Sequence, residues 1–72
     1  VEALEFMATD NFRGKKTSLA VLPVKKDILV AAILRGRQVI VPKGNDQILS
    51  GDRVIVVTQR KTIRDLNDIL ED

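Results

Sequence analysis

Residues 28 to 58 decide the fold: Ile28-Leu-Val-Ala-Ala-Ile-Leu-Arg-Gly-Arg-Gln-Val-Ile-Val-Pro-Lys-Gly-Asn-Asp-Gln-Ile-Leu-Ser-Gly-Asp-Arg-Val-Ile-Val-Val-Thr58. Three apolar runs rich in β-branched residues stand out in it, Ile28–Leu34, Val39–Val41 and Val54–Thr58. Gly36 separates the first two, and Pro42, Gly44, Gly51 and Asp52 fall between the last two. Short β-branched runs bounded by Gly, Pro and Asp read as strands joined by turns. A helix through this stretch would carry each glycine at roughly 1 kcal/mol and the proline at about 3. Three strands are therefore expected, and the rest of the chain must cover or extend them.

The first strand, Ile28–Leu34, is apolar at both parities, which is the pattern of a strand covered on both faces. One face is expected to meet the core, and the other the C-terminal helix or a second copy of the chain. Arg35-Gly36-Arg37 reads as a hairpin corner, with Gly36 supplying a positive φ at little steric cost. Pro42 lacks an N–H and marks a strand end or edge. Ser50-Gly51-Asp52 reads as a second tight turn, with Asp52 accepting from local backbone N–H groups and Gly51 in a conformation other residues avoid. After the Lys43–Gln47 loop, Ile48 and Leu49 are expected to tuck inward.

Upstream, Val1–Ala8 alternates imperfectly and is expected to add a fourth strand. Residues 9–18 are polar connection with Phe12 as the anchor. Thr17 and Ser18 can cap one helical turn through Leu19–Leu22, which Pro23 ends. Downstream, Thr62–Asp72 has Ile63, Leu66, Ile69 and Leu70 on one stripe, Thr62 and Asp65 at capping spacing, and Arg64 one turn from Asp68, and so reads as a helix. The expected architecture is α+β: a small, mostly antiparallel four-stranded sheet or partial barrel, in the order β-α-β-β-β-α, capped by the C-terminal helix.

Seventy-two residues make one domain, close to the lower limit for a self-sufficient core. No cysteine is present to staple it; with two Phe and no Trp or Tyr, that core must be aliphatic. A chain with so small a core gains stability by burying a face against a second copy, so a homodimer is expected. The absence of cysteine fits a reducing cytoplasm, no run of apolar residues is long enough to span a bilayer, and Val1 at the start reads as a fragment of a longer chain.

The net charge of +2 is unevenly spread. Residues 11–61 hold eleven Lys or Arg against Asp27, Asp46 and Asp52, so 11 − 3 = +8, whereas residues 62–72 hold Arg64 against four acids, so 1 − 4 = −3. This basic middle leaves two readings open, solvated charge on a sheet-rich domain or an anion-binding surface. Arg35 and Arg37, flanking the hairpin tip, are the candidate anion contacts. A small basic nucleic-acid-binding module is an alternative function, although no Trp or Tyr is available to stack on bases.

No His or Cys is present to act as base, nucleophile or nitrogen and sulfur metal ligand. Asp46 and Asp52 both sit in turns, where backbone bonding is their ordinary use. The glycines match neither dinucleotide nor P-loop spacing. No catalysis is expected, and no cofactor or metal is expected within this chain.

The ordered set Val1-Glu-Ala-Leu-Glu-Phe6, Gly14-Lys-Lys-Thr-Ser-Leu19, Leu22-Pro23, Ala31-Ala-Ile-Leu-Arg-Gly36, Val39-Ile-Val-Pro42, Gly44, Ile48-Leu49, Gly51-Asp52 and Val54–Thr58 resembles the TrkA C-terminal domain. This is the C-terminal lobe of the regulator of potassium conductance, or RCK, module. The likeness covers nearly the whole chain. It implies a non-catalytic, ligand-sensing and dimerising regulatory domain of a bacterial or archaeal potassium-uptake system. The domain would be cytoplasmic, at the inner face of the membrane, and linked through the rest of its chain to a channel or transporter subunit. It implies NAD or ATP in an upstream Rossmann lobe rather than here. Some relatives bind cyclic di-AMP in a cleft at the dimer interface, formed by the short helix and the start of the next strand. The corresponding region is Leu19–Ile33, with Leu19, Ala20, Val21, Leu22, Pro23, Ile28, Leu29 and Val30 as the candidate effector and dimer cleft. In that subset an Asn stands where this chain has Leu29, and an Asp and an Arg where it has the Ala20-Val-Leu-Pro23 turn.

Overall fold

The β-branched runs become strands. The computed structural model describes residues 1–60 and 62–71. Four strands form: β1 (Glu2–Met7), β2 (Ile28–Arg35), β3 (Gln38–Ile40) and β4 (Arg53–Thr58). They make one antiparallel sheet in the order β1-β4-β2-β3, open at both edges rather than closed toward a barrel. Gly36 turns the β2–β3 hairpin at φ 59°, and Gly51 turns into β4 at φ 91°. Both are left-handed conformations that disfavour any side chain with a Cβ.

Register sets which side chains face the core. Val54, Val56 and Thr58 of β4 point inward and are buried, opposite Phe6, Leu4 and Glu2 on one side. On the other side they face Ile33, Val30 and Ile28. The missing alternation in β2 has a local cause: a β-bulge between Val30 and Ala32 inserts an extra residue, which shifts the inward parity from Ile28 and Val30 to Ile33 and Arg35. Two small alanines sit at that kink.

The opposite face, carried by Glu5, Met7, Arg53, Ile55, Val57, Leu29, Ala32, Leu34 and Val39, is not covered by any described segment of the chain. Leu29 is 61 % and Val39 71 % exposed. The expectation that the C-terminal segment covers this second face is therefore corrected. That segment lies on the inner face instead, where Ile63, Leu66, Ile69 and Leu70 join Ala8, Phe12, Leu22 and Ile48 over the sheet. Each of the Ile, Leu and Phe side chains among them, removed from water, contributes roughly 1.5–3 kcal/mol. Leu49, expected to tuck in beside Ile48, stays exposed.

Neither expected helix forms among the described residues. The C-terminal one is reduced to a 3-10 turn, Leu66–Ile69. Its N-cap is Asp65 rather than Thr62: Asp65 accepts from the Asn67 N–H, while Asp68 accepts from the N–H groups of Asp65 and Arg64 at 3.1 and 2.9 Å. The spacing of Ile63, Leu66 and Ile69 is three, the period of a 3-10 turn rather than of an α-helix. Extended pairing then takes over. Lys25 N–H donates to Ile69 O (2.8 Å), Glu71 N–H to Pro23 O (2.7 Å), and Val24 pairs with Leu70. The expected helix end at Asp72 lies outside the described residues.

Around Leu19–Leu22 the chain makes a single turn, in which Ser18 O accepts from the N–H groups of Val21 and Leu22. The N–H groups expected to be capped by hydroxyls are used elsewhere. Leu19 N–H donates to Asp46 O (2.9 Å) and Ala20 N–H to Gly44 O (2.8 Å), and Ser18 pairs with Gln47. Leu19 and Ala20 carry first-turn N–H groups that no helix bonds internally, so the 43–47 loop takes the place of a cap, and Pro23 ends the turn. The corrected order is four strands followed by one 3-10 turn.

Candidate functional site

Antiparallel pairing lays the start of β2 beside the end of β4, with Ile28 opposite Thr58 and Leu29 opposite Val57. A concavity of about 320 Å³ opens at this end of the sheet, lined by Val1, Lys26, Asp27, Ile28, Leu29, Val57, Thr58 and Gln59. Ile28, Leu29, Val1 and Val57 supply apolar surface, while Lys26 and Asp27 supply one charge of each sign and Gln59 a neutral hydrogen-bonding group. Beside it, Arg60 Nε donates to both Asp27 oxygens at 2.7 and 2.9 Å. This bond holds the Asp27 carboxyl below the usual carboxylate range. The Thr58 hydroxyl oxygen accepts from the Arg60 N–H at 2.9 Å, which orients Arg60 toward that rim.

The structure divides the residues that sequence reasoning grouped as a cleft. Ile28 and Leu29 line the concavity; Val30 follows with its side chain on the core side. Leu19, Ala20, Val21, Leu22 and Pro23 are not among its lining. Leu22 is buried in the core, Leu19 packs against it, and Val21 points to solvent. Pro23 belongs to the pairing with the C-terminal segment. The other residues that line the concavity, Val57–Gln59 and Val1 among them, carry no motif. The signal that finds them is the register, which follows once β2 and β4 are taken as neighbours.

The two arginines of the hairpin are also separated. The bulge turns Arg35 inward, where its Nε and Nη2 donate to the two oxygens of Asp52 at 3.0 and 2.9 Å. Arg35 Nη2 also donates to Gln47 O at 2.9 Å, and the Leu49 N–H donates to Asp52 at 2.9 Å. Asp52 is 1 % exposed. Burial alone would push its carboxyl up, but the guanidinium and the Leu49 N–H outweigh it and hold it below the usual range. Arg35 is thus engaged by an internal partner, with its side chain still 37 % exposed. Arg37 remains exposed at the tip.

Other basic groups are matched as well. Arg53 lies 3.6 Å from Glu5, Lys15 3.5 Å from Asp10, and Lys25 Nζ donates to Asp68 O at 2.8 Å. Four basic side chains of the middle of the chain, Lys15, Arg35, Arg53 and Arg60, are thus held in ion pairs. Among the described residues no cluster of three His, Cys, Asp or Glu converges, and no helix is long and apolar enough to cross a membrane.

Comparison with known proteins agrees with this geometry. The model of the TrkA-C domain family matches residues 1–71. A solved structure described as "Structure of RCK domain with cda" is 33 % identical, with a TM-score of 0.71 over 85 % of this chain and 84 % of that one. None of the curated proteins compared matches this chain.

Proposed function

The chain belongs to the TrkA-C domain family, and on that ground we propose that it is a regulatory, ligand-sensing and pairing module of a potassium-transport system, acting on the cytoplasmic side of the membrane. The observation that carries this reading is the family match over residues 1–71. Domains of this family are generally non-catalytic, and the chain lacks the His and Cys that most acid–base and nucleophilic sites use.

The ligand-sensing part of the reading rests on the concavity at Ile28, Leu29 and Val57–Gln59. Its apolar floor accepts a flat or aliphatic moiety, and Lys26, Asp27 and Gln59 offer donors and acceptors at its rim. The similar RCK domain was solved with cda. The mechanism is population shift: a ligand that binds one arrangement of paired domains better than another moves the equilibrium by its differential affinity and by nothing else. NAD or ATP, where used, belongs to a nucleotide-binding lobe outside these residues.

Potassium flux provides the test. In cells stripped of their own uptake systems, the transport system carrying this domain is compared with the same system lacking residues 1–72. Regulation predicts that potassium uptake loses its dependence on internal potassium or nucleotide when the domain is removed, while transport itself persists. Identical, equally regulated uptake with and without the domain would sink the assignment.

A further inference from the structure

We propose that the Asp27–Arg60 ion pair is a clasp through which the rim of the concavity governs the docking of the C-terminal segment on the core. This rests on the reading of the concavity as a ligand site and names what that site moves, the seat of the segment that carries Ile63, Leu66, Ile69 and Leu70.

The chain leaves the sheet at Arg60, and its last described residues come back to the bend that Arg60 grips. At the start of that path, the Arg60 N–H donates to the Thr58 hydroxyl at 2.9 Å, and Arg60 Nε to both Asp27 oxygens at 2.7 and 2.9 Å. At its finish, the Lys25 N–H donates to Ile69 O at 2.8 Å and the Glu71 N–H to Pro23 O at 2.7 Å. Lys25 Nζ adds a third bond, to Asp68 O at 2.8 Å. Lys25 O in turn accepts from the Ile28 N–H at 3.1 Å. The bend that receives the segment is therefore the bend that brings Asp27 and Ile28 to the concavity. Between start and finish the four apolar side chains are buried in the core.

Asp27 and Arg60 thus form the neck of a loop. Bringing the ends of a loop together costs conformational entropy, so a contact at the neck lowers the cost of each contact farther along. Neck closure and docking are coupled, and the coupling runs both ways. Each of the two side chains is 43 % exposed, so the pair opens without stranding a buried charge. Opening the Arg35–Asp52 pair would strand one, because Asp52 is 1 % exposed. An exposed pair is weak by itself. A charged group seated beside Ile28 and Leu29 can therefore compete with Asp27 for Arg60, or with Arg60 for Asp27, and so open the neck.

Amide hydrogen exchange of the chain, resolved by residue, tests the clasp. The reporters are the N–H groups of Asp68, Leu70 and Glu71, bonded to Asp65, Asn67 and Pro23. Asp27→Asn and Arg60→Gln should each speed their exchange about threefold, with Val54 and Val56 of β4 unchanged. Arg60→Gln leaves the attraction between Asp27 and Lys25 in place, so the same pattern in both variants isolates the clasp from that attraction. Joining Asp27→Arg to Arg60→Asp should restore most of the protection, which a local disturbance of the 25–28 bend does not do. Reporters unchanged in either single variant, acceleration shared equally by β4, or no recovery in the double variant would each overturn the proposal. Such a failure leaves the regulatory assignment standing, since that is decided by the flux measurement.

Discussion

Arg35 and Asp52 hold together two turns seventeen residues apart. Asp52 ends the Ser50–Asp52 turn and is nearly inaccessible to water, yet it is charged, so its partners must do what solvent would otherwise do. The Arg35 fork supplies two donors and the Leu49 N–H a third. Arg35 is itself more than one-third exposed, so solvent screens part of the attraction, and the hydrogen bonds that satisfy Asp52 matter more than the charge pairing. Replacing Asp52 by Asn keeps the size and removes the charge. It leaves Arg35 without a counter-charge and turns one acceptor into a donor facing donors. The expected cost is roughly 2–3 kcal/mol, measured as a lowered midpoint in urea unfolding. A change below about 0.5 kcal/mol would mean that water replaces the carboxylate at no cost and that the pair is ornamental to stability. Lys16 poses the opposite kind of residue-scale question. It sits at φ 65° with a Cβ, in the same region that Gly36 occupies, and its carbonyl accepts from the Gln47 side chain.

Among the elements, the C-terminal segment depends most on contacts that no local pattern encodes. Asn67 lies within its 3-10 turn and reaches across to the 11–13 connection. Its Oδ1 accepts from the Arg13 N–H at 2.8 Å, and its Nδ2 donates to Asn11 O at 3.1 Å. The two segments are more than fifty residues apart in sequence, so these bonds tie the lid over the core to the connection that carries Phe12. Asn67→Ala should cost about 1–2 kcal/mol, because the bonds are exposed and water partly replaces them. Its specific mark is faster amide hydrogen exchange at Arg13 and at Ile63–Leu70 with the sheet unaffected; uniform loosening of β2 and β4 instead would contradict the lid assignment. The same locality explains what was legible in the sequence. Strands β1 to β4, the Gly36 and Gly51 turns, Phe12 as anchor and the local bonding of Asp52 all follow from residue type and near neighbours. Contacts far along the chain fill in what local pattern leaves out: Leu19 and Ala20 N–H bond the 43–47 loop while the 19–22 turn goes no further than one turn, and Ile69 and Glu71 pair with Lys25 and Pro23 instead of continuing a helix. The bulge at Val30–Ala32 was hidden as well. Its broken alternation reads as two buried faces, whereas it is one buried face with a change of parity. For the candidate site, Ile28 and Leu29 were legible as the start of a strand, but Val57–Gln59 become neighbours only through sheet register.

The whole molecule carries no histidine, so no histidine titrates near neutral pH in either the folded or the unfolded chain. Every carboxylate with a resolved shift moves in the same direction. Burial would raise Asp52, but Arg35 and Leu49 hold it low; Ser50 and Lys15 lower Asp10; Arg60 lowers Asp27; the Arg64 and Asp65 N–H groups lower Asp68. A folded-state value below the unfolded one means that the unfolded chain binds protons first as pH falls. Stability from these groups is therefore fully present above the ordinary carboxylate range near 4 and disappears as pH drops through their lowered folded values. Asp10 and Asp27 are open to solvent and contribute little, so the acid response should be dominated by Asp52, the buried member. Urea unfolding midpoints are expected to stay level from about pH 8 to about pH 5 and to fall steeply below about pH 4. In Asp52→Asn the plateau should be lower and the acid limb visibly shallower, because the substituted side chain has no proton to take up. A loss of stability already between about pH 7 and about pH 5, or an acid limb unchanged by that substitution, would place the controlling protonation on some group other than the carboxylate between Arg35 and Leu49.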